Sequence, residues 1–252
     1  MEYRNGRFES FDIMGFHVDD GITAHTDDEP GDKRADRCIA ELSTVLPIED
    51  KGIPHSFLGM IIKYTHGECS AYQPYLIEKV TKLMGVQGCK PVHTPIRIGF
   101  DVPRNEGPPH SGFTNVSYAT IVGMINYLAC CTRPDLTNAV RLAASHNSNP
   151  SKKAWILLQD IVKYIWTTRD WVITFKKEAP FHLPGLNPDL NIGQPYFTTF
   201  SDSDHGSNAN DCVSVSGFVS FIGGSPLNWS SKKQKGAVTL SSMEAEVIAA
   251  ML

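Results

Sequence analysis

The chain has 252 residues, 41% of them hydrophobic and 20% charged, and carries a net charge of −4. That length holds one large domain or two modest ones, and the apolar share is enough for a core, which excludes a chain disordered throughout. No apolar run approaches the roughly 20 residues of a membrane span, and Met1-Glu2-Tyr3-Arg4-Asn5-Gly6 lacks the basic-then-apolar pattern of a secretory signal. A cytoplasmic or nuclear setting and no membrane partner are expected.

Residues 11–23 read FDIMGFHVDDGIT, in which Asp20-Gly21 between short apolar runs predicts a hairpin with Asp19 and Asp20 at its tip. Residues 26–37 read as a loop opening into a short helix near 33–45. SFLGMIIKY at 56–64 is an apolar strand candidate. A helix over 74–84 starts at Pro74, spaces Leu76, Ile77, Val80, Leu83 and Met84 on one face, and stops at Gly85. Residues 88–112 are rich in Pro and Gly and read as an extended connection.

Helical spacing returns over 115–131, with Tyr118, Ile121, Val122, Ile125, Leu128 and Ala129 on one face. It returns again over 151–167, with Ala154, Leu157, Leu158, Ile161, Val162 and Ile165. Between them Thr132-Arg133-Pro134-Asp135 precedes a third helix, about 135–146. Residues 171–176 read as a short strand. Residues 179–195 hold four prolines and two glycines and predict a linker. Beyond it, strands are expected at 196–201, 215–222, 226–230 and 237–241, and a helix from Ser242 onward. The fold class predicted is α+β.

The cysteines (Cys38, Cys69, Cys89, Cys130, Cys131 and Cys212) include no pair separated by two residues, so they read as reduced thiols rather than zinc ligands. The net charge argues mildly against a simple nucleic-acid binder. It is unevenly spread, however: residues 1–50 carry 13 acids against 5 bases, whereas 151–178 carry 6 bases against 3 acids. Lys232, Lys233 and Lys235 add a second basic cluster.

Asp19 and Asp20 are adjacent carboxylates, which repel unless a cation such as Mg²⁺ holds them; on spacing alone, ordinary turn chemistry accounts for them better. Asp202 lies after a predicted strand, where it can be aimed at a metal or can close an Asx turn. Ser241 and Glu244 fit a capping box. Glu246, about 200° around the helix from Glu244, is free for another role, and a strand and a following helix can bring it to Asp202.

These motifs, taken in order, resemble the Pol polyprotein of copia-type LTR retrotransposons. FHVDDGI resembles the catalytic turn of reverse transcriptases, and SFLGMIIKY the strand that follows the palm. YQPYLIEKVTKLMGVQGCKPVHTPI resembles the thumb-like helix and its extension, and YATIVGMINYLACCTRPDLTNAV the connecting helices. FSDSDHGSN, VSGFVSFIGGSPLNWSSKKQ and LSSMEAEVIA resemble the opening of the ribonuclease H domain. The blocks span about residues 8–252.

The resemblance implies a palm remnant over 1–64, a thumb and connection region over 65–178, a linker over 179–195 and the start of a ribonuclease H-like domain over 196–252. Asp19 and Asp20 match the metal-binding aspartates of the polymerase turn. Asp202 and Glu246 match the first two carboxylates of the nuclease. Lys232 and Lys233 are placed near the nucleic-acid backbone. The implied cofactor is Mg²⁺, and the implied partners are an RNA–DNA hybrid or template-primer and the remainder of the Pol polyprotein. His17 and His205 stand where the family pattern has Tyr and Trp. An earlier palm aspartate and the later nuclease aspartates have no counterpart, so truncation at both ends and an incomplete catalyst are expected, with a non-catalytic nucleic-acid-binding remnant as the alternative.

Overall fold

The computed structural model describes residues 2–4, 7–10, 12–25, 29–112, 114–176, 197–204, 213–234, 239 and 241–251. The expected linker at 179–195, His205, Cys212 and Lys235 lie outside the described residues, as does most of the strand candidate at 237–241. The fold is mixed α+β, and the chain divides into two compact units, Met1–Leu58 and Gly59–Leu252.

The first unit holds two antiparallel hairpins, β1 (Glu2–Arg4) with β2 (Arg7–Ser10) and β3 (Asp12–His17) with β4 (Asp20–His25). Helix α1 (Glu29–Ser43) packs on the second hairpin, and a two-residue strand, β5 (Ser56–Phe57), ends the unit. The helix starts four residues earlier than the spacing of 33–45 suggested. Pro30 falls in its first turn, where a missing N–H breaks no helical bond.

The second unit opens with strands β6 (Met60–Thr65) and β7 (Glu68–Tyr72), which pair antiparallel. Strand β8 (Ile173–Lys176) adds to β7, placing Glu68 opposite Lys176 with their charged ends 3.0 Å apart. The loop joining β6 to β7 is two residues, His66-Gly67, with Gly67 at φ 78°. β7 was not predicted from the sequence.

Helix α2 (Pro74–Leu83) closes as expected at Gly85, with φ 61°. The Val86 N–H reaches the Thr81 carbonyl and the Gly85 N–H the Lys82 carbonyl, both at 3.1 Å. This is the Schellman arrangement, which needs a left-handed residue at that position. Helix α3 (Tyr118–Cys131) is capped by Ser117, whose Oγ accepts from the Thr120 N–H at 3.2 Å. A 3₁₀ turn (Pro134–Leu136) leads into α4 (Thr137–Ala144), followed by α5 (Lys152–Thr167).

Every residue assigned to the apolar faces of α3 and α5 is buried, and together with Ile77, Val80, Leu136, Ala139, Val140 and Ala143 they form one core. Each fully buried Leu or Ile contributes roughly 1.5–3 kcal/mol. The extended segment before α3 is fastened to this core. The Val92 N–H donates to Thr167 Oγ1 (3.0 Å), Arg97 pairs with the buried Asp160 (2.7 Å), and the Trp155 indole N–H donates to the His110 carbonyl (3.1 Å).

A three-stranded antiparallel sheet completes the unit, in the order β11 (Ser225–Lys233), β10 (Val215–Ile222), β9 (Phe197–Asp204). Helix α6 (Ser242–Ala250) lies on β9 and β10. Buried Gln234 fastens it, donating to Ser216 Oγ at 2.7 Å and the Ala245 carbonyl at 2.9 Å. The sheet meets the helical core where the Trp229 indole N–H donates to the Ala129 carbonyl at the end of α3 (2.7 Å). Among the described residues no helix is long and apolar enough to cross a membrane.

Candidate functional site

The hairpin exists, but its turn is not Asp20-Gly21. His17 pairs directly with Asp20, so the two loop residues are Val18 and Asp19, and Asp20 is the first residue of β4. Gly21 faces Phe16 across the ladder, and a Cβ there would come within 3.1 Å of the Phe16 ring. Its smallness serves cross-strand packing rather than turn geometry. The left-handed residue is instead Val18, at φ 53°. A β-branched residue there is strained by about 1–2 kcal/mol. Asp19 and Asp20 are both exposed, one on the loop and one on the strand.

Asp202 lies within β9 rather than after it, paired with Gly217 of β10. Helix α6 brings Glu246 to the same strand, where a carboxylate oxygen (Oε1) of Glu246 accepts from the backbone N–H of Ser203 at 3.4 Å. Asp202 and Glu246, 44 positions apart, are thus seated on adjoining positions of one strand-and-helix corner. The helix is set by its cap: Ser241 Oγ accepts from the Glu244 N–H at 3.2 Å. Ser203 Oγ is buried without a hydrogen-bond partner among the described residues.

Side chains alternate along a strand. Asp202 and Asp204 therefore share a face with Lys233, which lies in register with Asp204 across Val215. Lys232 shares the opposite face with Ser203 and Ser216. Lys232 is exposed and has no carboxylate within ion-pair distance among the described residues, while Lys233 is half-buried.

Two arginines were passed over in the sequence. Arg133, taken only as part of a helix-breaking tetrapeptide, is 2% exposed. Its guanidinium grips Asp135 through two bonds (2.9 and 2.7 Å) and reaches Thr168 Oγ1 (2.6 Å) and the Thr168 carbonyl (3.2 Å) at the end of α5. The rings of Tyr164 and Trp171, edge-to-face with each other at 6.2 Å, lie beside it at 5.7 and 5.5 Å. Burial pushes the Tyr164 hydroxyl up to about 12, with the Asp135 charge adding to the effect. Arg141, the cation in an otherwise apolar and neutral stretch, TNAVRLAA, is half-buried beside β11.

Mg²⁺ is held by one or two carboxylates, waters and substrate phosphates. Asp202 and Glu246 would be the carboxylates to hold such an ion. A two-ion clamp needs more donors, and among the described residues no group of three or more His, Cys, Asp or Glu side chains is arranged to hold a metal. The described residues therefore do not fit a two-ion centre by themselves.

No protein-family model matches the chain, and no solved structure matches it significantly. Curated relatives do. The chain is 28% identical over 216 residues to the retrovirus-related Pol polyprotein from transposon TNT 1-94 of Nicotiana tabacum. It is 32% identical over 193 residues to that from transposon RE2 of Arabidopsis thaliana. These alignments cover 83% and 76% of the chain but only 15% and 12% of the relatives' own lengths. A third relative, the uncharacterized mitochondrial protein AtMg00810 of Arabidopsis thaliana, is 30% identical over 214 residues, with 82% of the chain and 79% of the relative aligned. The chain belongs to the family of retrovirus-related Pol polyproteins of copia-type transposons.

Proposed function

We propose that the chain is the polymerase-to-nuclease portion of a retrotransposon Pol polyprotein that carries out RNA-directed DNA synthesis and cleaves RNA in RNA–DNA hybrids. Its first unit would carry the palm aspartates Asp19 and Asp20, its helical region the thumb and connection, and its last sheet with α6 the start of the ribonuclease H domain. The observation that carries the nuclease half is the approach of Glu246 to the strand of Asp202, because carboxylates distant in sequence gather on one corner when they share a cation. The strained Val18 beside Asp19 and Asp20 supports the polymerase half, since strain of this kind clusters at functional sites.

By itself the chain is read as catalytically incomplete: two carboxylates at each site bind Mg²⁺ weakly and do not fix both the attacking and the leaving oxygen. Its substrate would be a hybrid or template-primer, its working partner the rest of the polyprotein, and its setting the cytoplasm or nucleus. The test is incubation of the purified chain with a labelled RNA–DNA hybrid and Mg²⁺. The expected result is hybrid binding without RNA cleavage. Cleavage that disappears in Asp202→Asn would overturn the incompleteness; failure to bind the hybrid at low salt would overturn the nucleic-acid reading.

A further inference from the structure

A groove of about 430 Å³ runs between α3 and α4 on one side and β10 and β11 on the other. Ala129, Phe218 and Trp229 give it apolar lining. The Trp229 indole N–H is spent on the Ala129 carbonyl, so the ring is a fixed wall. Arg141 and Lys232 line the groove, and Asn126 and Asn228 add neutral polar groups.

The state of Arg141 is the informative feature. Its Nε and Nη2 both donate to Asn138 Oδ1, at 3.2 and 3.0 Å, and Ser231 Oγ of β11 donates to the same oxygen at 3.4 Å. Asn138, a neutral amide, thus holds the guanidinium against β11 without forming an ion pair with it. No carboxylate lies within ion-pair distance of either Arg141 or Lys232 among the described residues. Burial pulls the Arg141 pKa below its ordinary value and the more distant Asp204 charge pushes it back. A half-buried cation oriented by an amide is costly unless an anion completes it, and Arg with Lys above an apolar wall is the chemistry that takes a phosphate and its sugar.

We propose that this groove binds the sugar–phosphate backbone of a nucleic acid, with Arg141 and Lys232 on phosphates and Asn138 as the positioning residue for Arg141. The assignment rests on the nucleic-acid reading above and adds a contact surface whose Ser231 lies in register with Asp202 across Gly217.

The test uses the full chain, a fluorescein-labelled RNA–DNA hybrid and anisotropy over a series of salt concentrations. Affinity is expected to fall linearly in log salt, and Arg141→Gln with Lys232→Gln to weaken it several-fold and to reduce the slope by about 1 per cation removed. Arg37→Gln with Lys51→Gln removes equal charge at exposed positions outside the aspartate hairpin and the helical region and is expected to leave the affinity within about twofold, whereas uniform charge loss would lower it similarly in both. Cys130 is exposed and lines the groove, which supplies a readout in the unmutated groove. On a Cys131→Ser background, bound hybrid is expected to slow alkylation of Cys130 and not of Cys38, and inorganic phosphate to leave both rates unchanged.

Equal weakening by the two double variants, or an unchanged Cys130 rate with hybrid bound, overturns the groove assignment while leaving the nucleic-acid reading standing. Protection by inorganic phosphate alone makes it a small-anion site and overturns the backbone assignment. Absence of any hybrid binding by the wild type removes both. If the Arg141 variant is unfolded by circular dichroism, the exposed Lys232→Gln and the Cys130 rates decide.

Discussion

The Glu246 carboxylate accepts a hydrogen bond from the backbone N–H of Ser203, 3.4 Å away. The contact is long and lies at an exposed position, so it holds the corner of α6 and β9 weakly, and Ser241 and Gln234 do most of the fastening. Glu246→Gln keeps an acceptor, and Glu246→Ala removes one exposed bond. Both are expected to cost less than about 1 kcal/mol in urea denaturation. A loss from Glu246→Ala much above that would make the carboxylate a structural strut and weaken its assignment to the cation corner.

Arg133 contrasts with it. Its guanidinium joins the turn after α3 to the end of α5 through Asp135 and Thr168, beside two aromatic rings. Lysine cannot reproduce the planar fork or the stacking. Arg133→Lys is therefore expected to destabilise the chain by about 2–4 kcal/mol, somewhat below the range for breaking a fully buried pair because Asp135 keeps some solvent contact. Equilibrium unfolding in urea checks this; a change within about 0.5 kcal/mol would show the pair to be an ordinary surface contact.

These residues also show where sequence reading works. The faces of α3 and α5 were legible because helical periodicity repeats across four turns, and each assigned residue is buried. Strand β7 was missed because Cys69, Ser70 and Ala71 are small and carry no alternation, although the two-residue loop ending in Gly67 signals a hairpin. The turn beside Asp20 was misplaced because Gly21 looked like the turn residue, whereas Phe16 requires its smallness and Val18 takes the left-handed position. Arg133 read as punctuation because its partner Thr168 is 35 residues away. Local pattern singled out the candidate carboxylates and the resemblance supplied their roles; Asp202 and Glu246 lie on separate elements that only tertiary packing brings together.

Gly112 tests the packing around Trp155. It sits at φ +87°, and a Cβ there would lie 2.3 Å from the Trp155 ring. That ring is 1% exposed and cannot retreat, being fixed by its bond to the His110 carbonyl and the edge of Tyr118. Gly112→Ala combines overpacking with a left-handed backbone and is expected to cost about 2–4 kcal/mol. Near-UV circular dichroism of the tryptophans and urea midpoints measure it together; an unchanged midpoint would mean that the segment before α3 shifts freely off the core.

His146 sets a pH dependence. It is 5% exposed and its Nε2 has no hydrogen-bond partner among the described residues. Burial lowers its pKa below the ordinary 6.5, Lys233 lowers it further, and only the Asp101 charge opposes them. The folded state thus favours neutral imidazole. The stability this contributes is fully present above the unfolded pKa of about 6.5 and is lost as the pH falls from there through the lower folded pKa. Urea midpoints are expected to drop as the pH falls below about 6.5, and His146→Gln, which does not titrate, to flatten that part of the profile. A variant with the same pH profile as the wild type would move the acid sensitivity to other groups, and the buried imidazole would then be a passive member of the core.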